Sequence, residues 1–112
     1  MKKAVALAVT AALLAPTVAE AQRRPSNHYW NRPHINAGRY RWPHGYRYRR
    51  WGVGYVLPRV FLTAAYTYTA FAALGLAQPK TGSSWVRYGP DLLLVNTQSG
   101  KVEDVRYGVF AE

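Results

Sequence analysis

The stretch from Ser83 to Gly100 constrains this chain more than any other, because it spells a strand, a tight turn, a second strand and a further turn. Trp85 and Arg87 alternate with Val86 and Tyr88, following the two-residue period of a pleated strand. Gly89-Pro90-Asp91 supplies turn chemistry, and on the return Leu92 and Leu94 face away from Leu93 and Val95. Asn96 to Gly100 fits a type I turn ending with Gly100 in the left-handed conformation. A third strand, Lys101 to Tyr107, follows, in which Glu103-Asp104 interrupts the alternation between Val102 and Val105. A β-bulge would bring both valines to one face, and a frayed edge is the alternative. The pattern reads as an antiparallel meander over about residues 84–107.

Upstream, Trp51 to Pro58 is a short extended segment closed by proline, and residues 60–77 run without a charge. A membrane span needs about 20 apolar residues, and this run is rich in alanine and threonine, so a span is the lesser reading. Tyr66-Thr67-Tyr68-Thr69 alternates like a strand. The expectation is a strand at about 64–68 and a short helix at about 69–74, N-capped by Thr69 or Thr67, with Gly75 at its C′ position and Pro79 preventing continuation. The fold class is α+β, a small antiparallel sheet with one short helix. The domain is assigned to residues 51–112. It has no cysteine, so burial and backbone pairing must hold it together.

The first residues read as an export signal. Met1-Lys2-Lys3 is a positive n-region, Ala4 to Leu14 is an apolar run too short to span, and Ala19-Glu20-Ala21 offers small residues for cleavage after Ala21. Residues 1–21 are therefore expected to be a signal peptide and the product to be secreted. The whole chain carries a formal charge of +10, and removal of Lys2, Lys3 and Glu20 leaves it strongly basic.

Residues 22–50 form a basic arm. Arg23, Arg24, Arg32, Arg39, Arg41, Arg47, Arg49 and Arg50 are interleaved with Tyr29, Trp30, Tyr40, Trp42, Tyr46 and Tyr48, without an acid, and Pro25, Pro33 and Pro43 oppose helix. Like charges with little to bury read as disorder. Guanidinium forks and aromatic rings suit a polyanion, and Arg39, Arg41, Arg47, Arg49 and Arg50 are the candidate contacts. An exported chain would meet anionic lipid, lipopolysaccharide or cell-wall polymer rather than nucleic acid; a soluble tether is the alternative.

His28, His34 and His44 are the only histidines and the candidate metal ligands, although their spacing matches no compact motif and the nearby arginines disfavour a cation. The domain holds only Asp91, Glu103, Asp104 and Glu112 as acids. Glu103 and Asp104 are strand neighbours facing opposite ways, so neither hydrolytic nor nucleophilic machinery is expected. The chain reads as a non-enzyme without a resident cofactor, and its imidazoles suit weak contact with nickel, cobalt, copper or zinc.

Gly54-x-x-Leu57-Pro58, the Tyr66 segment, the short helix closing on Gly75-Leu76, then Gly82-x-x-Trp85-Val86-Arg87-x-Gly89-x-Asp91 and Thr97-x-x-Gly100-Lys101-Val102 together resemble the RcnB family of small periplasmic proteins tied to nickel and cobalt homeostasis. The resemblance covers about residues 51–107. It implies a compact α+β module exported to the bacterial periplasm, a role in metal tolerance beside an efflux pump, and no catalytic residue. The chain departs from the family at Val56 and at Thr69 to Ala73, where more apolar residues read as a docking face. The sequence thus supports an accessory of metal homeostasis, or an envelope polyanion-binding or protein-interaction module with peripheral membrane association.

Overall fold

In the computed structural model, residues 27–111 are described; the expected signal peptide, 1–21, lies outside them. Four strands form one mixed sheet in the order β1-β4-β3-β2: β1 (Asn27–Tyr29), β2 (Ser83–Tyr88), β3 (Asp91–Asn96) and β4 (Val102–Tyr107). The expected meander is β2-β3-β4, antiparallel throughout. The fourth strand was not expected, and it runs parallel to β4, pairing Asn27 with Val105 and Tyr29 with Tyr107. The sheet is therefore mixed rather than antiparallel.

Turn chemistry fixes the register of the meander. Tyr88 faces Asp91 across a two-residue loop, and Gly89 opens that loop at φ 55, the sign such loops demand of their first position. The second turn is built on Asn96, whose side-chain oxygen accepts from the Gln98 and Ser99 amides, with Gly100 left-handed at φ 82 as expected. The bulge is present too. Leu94 pairs with Asp104 and Val95 with Val102, so Glu103 is the extra residue, and Val102 and Val105 enter the same core cluster.

Each face of the sheet has its own core. Val86, Tyr88, Leu93, Val95, Val102 and Val105 pack beneath Trp51, Leu57 and Phe61. On the reverse, Trp85, Leu92 and Leu94 pack with Leu74, Val109 and Phe110. This two-sided burial accounts for the unbroken apolar run in β3.

The segment before the sheet differs from its expectation. Residues 64–66 are 3-10 helix, not strand, and two more 3-10 helices occupy Arg59–Leu62 and Ala70–Leu74. Only Thr67 keeps a strand contact, bridging Val86. The tertiary fold wins over the local alternation because Phe61 and Leu74 must reach opposite faces of the sheet, and short 3-10 turns redirect the chain quickly. The expected stop is present: Gly75 is left-handed and its amide bonds Ala72, whereas Thr69 makes no side-chain cap. Among the described residues no helix is long and apolar enough to cross a membrane.

The expectation of a disordered arm is corrected over residues 27–50. Trp30 and Ile35 pack on one core and Trp42 on the other. The Trp30 and Ile35 amides bond the Tyr107 and Val109 carbonyls, and Tyr88 donates its hydroxyl to the Arg47 carbonyl. The physical reason is that the arm's aromatic residues bury against a sheet that needs covering on both sides, while its arginines stay outside or lie over rings. Trp42 sits edge-on to Tyr88 at 4.9 Å and to Tyr40 at 4.8 Å.

Candidate functional site

The three histidines are held at separate points of the arm. His28, on β1 opposite Arg106, brings Nε2 to 3.8 Å from a carboxylate oxygen of Asp104. Asp104 is fully buried; it accepts from the Val105 amide and pairs with Arg106 at 3.2 Å. His34 is exposed and its Nδ1 bonds the Gly108 carbonyl, while His44 is exposed in the turn closed by the Tyr46 amide on Pro43. Among the described residues no three histidine, cysteine or acidic side chains come together as a metal-holding group. The reason is topological: β1 carries His28 along the sheet edge while the following loop leads His34 and His44 away.

The described acids are occupied structurally. Glu103 accepts from Ser83 and lies 3.7 Å from Lys80. Asp91, 2% exposed, accepts from the Tyr48 hydroxyl at 2.7 Å and the Gly108 amide at 2.9 Å. Burial pushes its carboxyl above the usual carboxylate range; the Tyr48 and Gly108 hydrogen bonds and the nearby Arg50 charge pull the other way without prevailing. Burial, helped by the Asp91 carboxylate, pushes Tyr48 upward in turn, so its hydroxyl stays a donor.

The candidate polyanion contacts divide. Arg50 lies over Tyr107 at 4.1 Å and over Tyr29 at 5.0 Å, and also hydrogen-bonds the Tyr29 hydroxyl; Arg49 lies over Trp51 at 4.5 Å. These two cations are seated on rings. Arg47 is exposed. Arg39 and Arg41 are exposed at a cleft of about 440 Å3, between the arm and the 3-10 segment that carries Tyr66, with Tyr40, Tyr68 and Arg87 also lining it. The Tyr66 hydroxyl donates to the Arg41 carbonyl and holds the two walls together.

Arg87, which the sequence showed as an alternating strand residue and a motif position but not as a site residue, also lines that cleft. It is 9% exposed. Its Nη1 donates to Ala37 and its Nε to Gly89, and its guanidinium lies over Phe110 at 4.7 Å and over Tyr40 at 5.3 Å. Among the described residues Nη2 is buried without a hydrogen-bond partner, and the buried Tyr40 hydroxyl donates to no acceptor. Burial raises the Tyr40 pKa, against a smaller opposing hydrogen bond from the Gly89 backbone to its oxygen, so the hydroxyl keeps its proton. The one signal in the sequence was an arginine flanked in its strand by Trp85, Val86 and Tyr88.

Residues 54–104 match a family model described as RcnB, nickel/cobalt transporter regulator. No curated protein matches the chain. A solved structure is similar at 28% identity over 52% of this chain and 70% of that one, with a TM-score of 0.48. The matched stretch begins at the extended segment before Leu57 and runs through β2 and β3 to the buried Asp104 of β4. From Gly54 to Asp104, therefore, the match supports the resemblance to the RcnB family of nickel/cobalt transporter regulators.

Proposed function

We propose that this chain is a non-enzymatic accessory of nickel and cobalt homeostasis, acting in the bacterial periplasm beside a metal-efflux system. The observation that carries the reading is the family match, which spans the buried strands rather than a peripheral loop. A regulator of transport works by contact, and the acids of the sheet are engaged in structural hydrogen bonds rather than poised over a reaction site. Metal contact falls to His28, His34 and His44 acting singly, since each stands in a different part of the arm; a single imidazole holds nickel or cobalt only loosely.

The test is tolerance. A strain lacking the chain is grown across graded nickel, cobalt and copper, with and without the full-length chain restored, and the restored protein is located by osmotic-shock fractionation. A change in nickel or cobalt tolerance reversed by the periplasmic chain supports the reading; tolerance indifferent to its loss refutes it. A second reading, adhesion to envelope polyanion, is favoured by the exposure of Arg39, Arg41 and Arg47 along one stretch. It requires vesicle binding that weakens as salt rises.

A further inference from the structure

A guanidinium enclosed by protein is normally paired, because an unpaired charge away from water is costly. Arg87 breaks that pattern. Among the described residues no carboxylate lies at ion-pair distance from it; its partners are two carbonyls and two rings, and Nη2 has none. A second buried donor without an acceptor among the described residues, the Tyr40 hydroxyl, belongs to the same cleft, and two further exposed cations, Arg39 and Arg41, line it. The cleft is thus lined by donors and positive charge, its aromatic walls are tied together by the Tyr66 bond, and its size is within the range of small-molecule sites, roughly 300–1,000 Å3.

We propose that this cleft binds a small-molecule oxyanion, a carboxylate or a phosphate, whose oxygens accept from Arg87 Nη2 and the Tyr40 hydroxyl while Arg39 and Arg41 close over it. A guanidinium with one free edge suits an oxyanion, and the charge of the ligand supplies a counter-ion that the described residues do not. The aromatic walls of Tyr40, Tyr66 and Tyr68 favour a ligand that carries some apolar surface next to its charged group. The inference is independent of the nickel and cobalt reading, since it requires no metal.

The experiment is an amide NMR titration of the full chain with inorganic phosphate, with citrate and with phosphatidylglycerol vesicles in separate arms. The expected result is saturable shifts confined to residues 37–41, 66–68 and 87 with phosphate or citrate. Arg87→Gln also loses the bonds to Ala37 and Gly89 and will destabilise the fold, so Tyr40→Phe is the deciding variant. It removes a hydroxyl that donates no hydrogen bond among the described residues, so the fold is expected to survive the change. Its affinity for the anion should fall about ten-fold, the loss expected of a hydrogen bond to a charged group. Arg39→Gln should weaken binding several-fold and Arg47→Gln should not. Affinity unchanged in Tyr40→Phe, shifts spread over residues 47–50 without saturation, a response to vesicles alone, or no response in any arm would each overturn the proposal.

Discussion

Replacement of Trp42 by alanine tests whether the basic arm is part of the folded core. The indole is half-buried and packs edge-on to Tyr88 at 4.9 Å and Tyr40 at 4.8 Å, with Tyr48 and Phe61 each at 6.4 Å. A buried Trp removes on the order of 150–250 Å2 from water; taking roughly two-thirds of that at ~25 cal/mol per Å2 gives about 3 kcal/mol. Residual burial in the unfolded chain lowers the figure, and the ring pairs, each worth ~0.5–1.5 kcal/mol, restore it. Globular domains are stable by only ~5–15 kcal/mol, so the loss is a large fraction of the whole. It corresponds to a fall in Tm of about 12–24 °C for a domain of this size. Urea and thermal unfolding followed by near-UV circular dichroism reads it, with exposed Arg47→Ala as the control expected to change little. A Trp42→Ala stability within ~0.5 kcal/mol of the parent, the ordinary range for surface changes, would mean that the arm is not docked and that the two-sided core is wrong.

Three further outcomes are expected. The pKa of Asp91 is raised in the folded chain, so the neutral carboxyl contributes stability that is present below the unfolded pKa and is lost as pH rises through the folded value. Asp91→Asn stays neutral throughout, and the parent's urea midpoint should therefore fall relative to the variant's between acid and neutral pH; a constant difference refutes this. Gly100→Ala should destabilise by about 1–3 kcal/mol, because a left-handed non-glycine residue is strained and the added Cβ would sit 2.9 Å from the Leu57 carbonyl oxygen. Gly52→Ala, with nothing within 4 Å, is its near-neutral counterpart in thermal melts. Calorimetry with nickel should give a small heat that disappears when His28, His34 and His44 are all changed to alanine, and equal heats would remove the histidines from the account.

The meander was readable because its determinants are local. Gly89, Asn96 and Gly100 set turn geometry through their own backbone and side-chain bonds, and the extra residue at Glu103 followed from two valines three apart that both belong inside. Gly75 ended its helix for the same reason. Residues 64–66 misled: an alternating Tyr-Thr pattern is a local preference, and packing of Phe61 and Leu74 on opposite faces overrode it. The cleft could not be read at all, since Arg39 and Tyr40 are nearly fifty residues from Arg87 and only the fold brings them together.

By itself the sequence determined three antiparallel strands, their turns, the strong positive charge and the absence of a disulfide. The family match agrees with the resemblance carried by Gly82-x-x-Trp85-Val86-Arg87-x-Gly89. Tertiary structure decided that residues 27–50 are a layer and not a tether, that β1 pairs in parallel with β4, and that Arg87 is buried with no counter-charge among the described residues. The division has one physical cause. Turns and strand periods are fixed by neighbours a few residues apart, whereas the fate of an aromatic or a charge depends on whether a distant surface needs covering, and both faces of this sheet did.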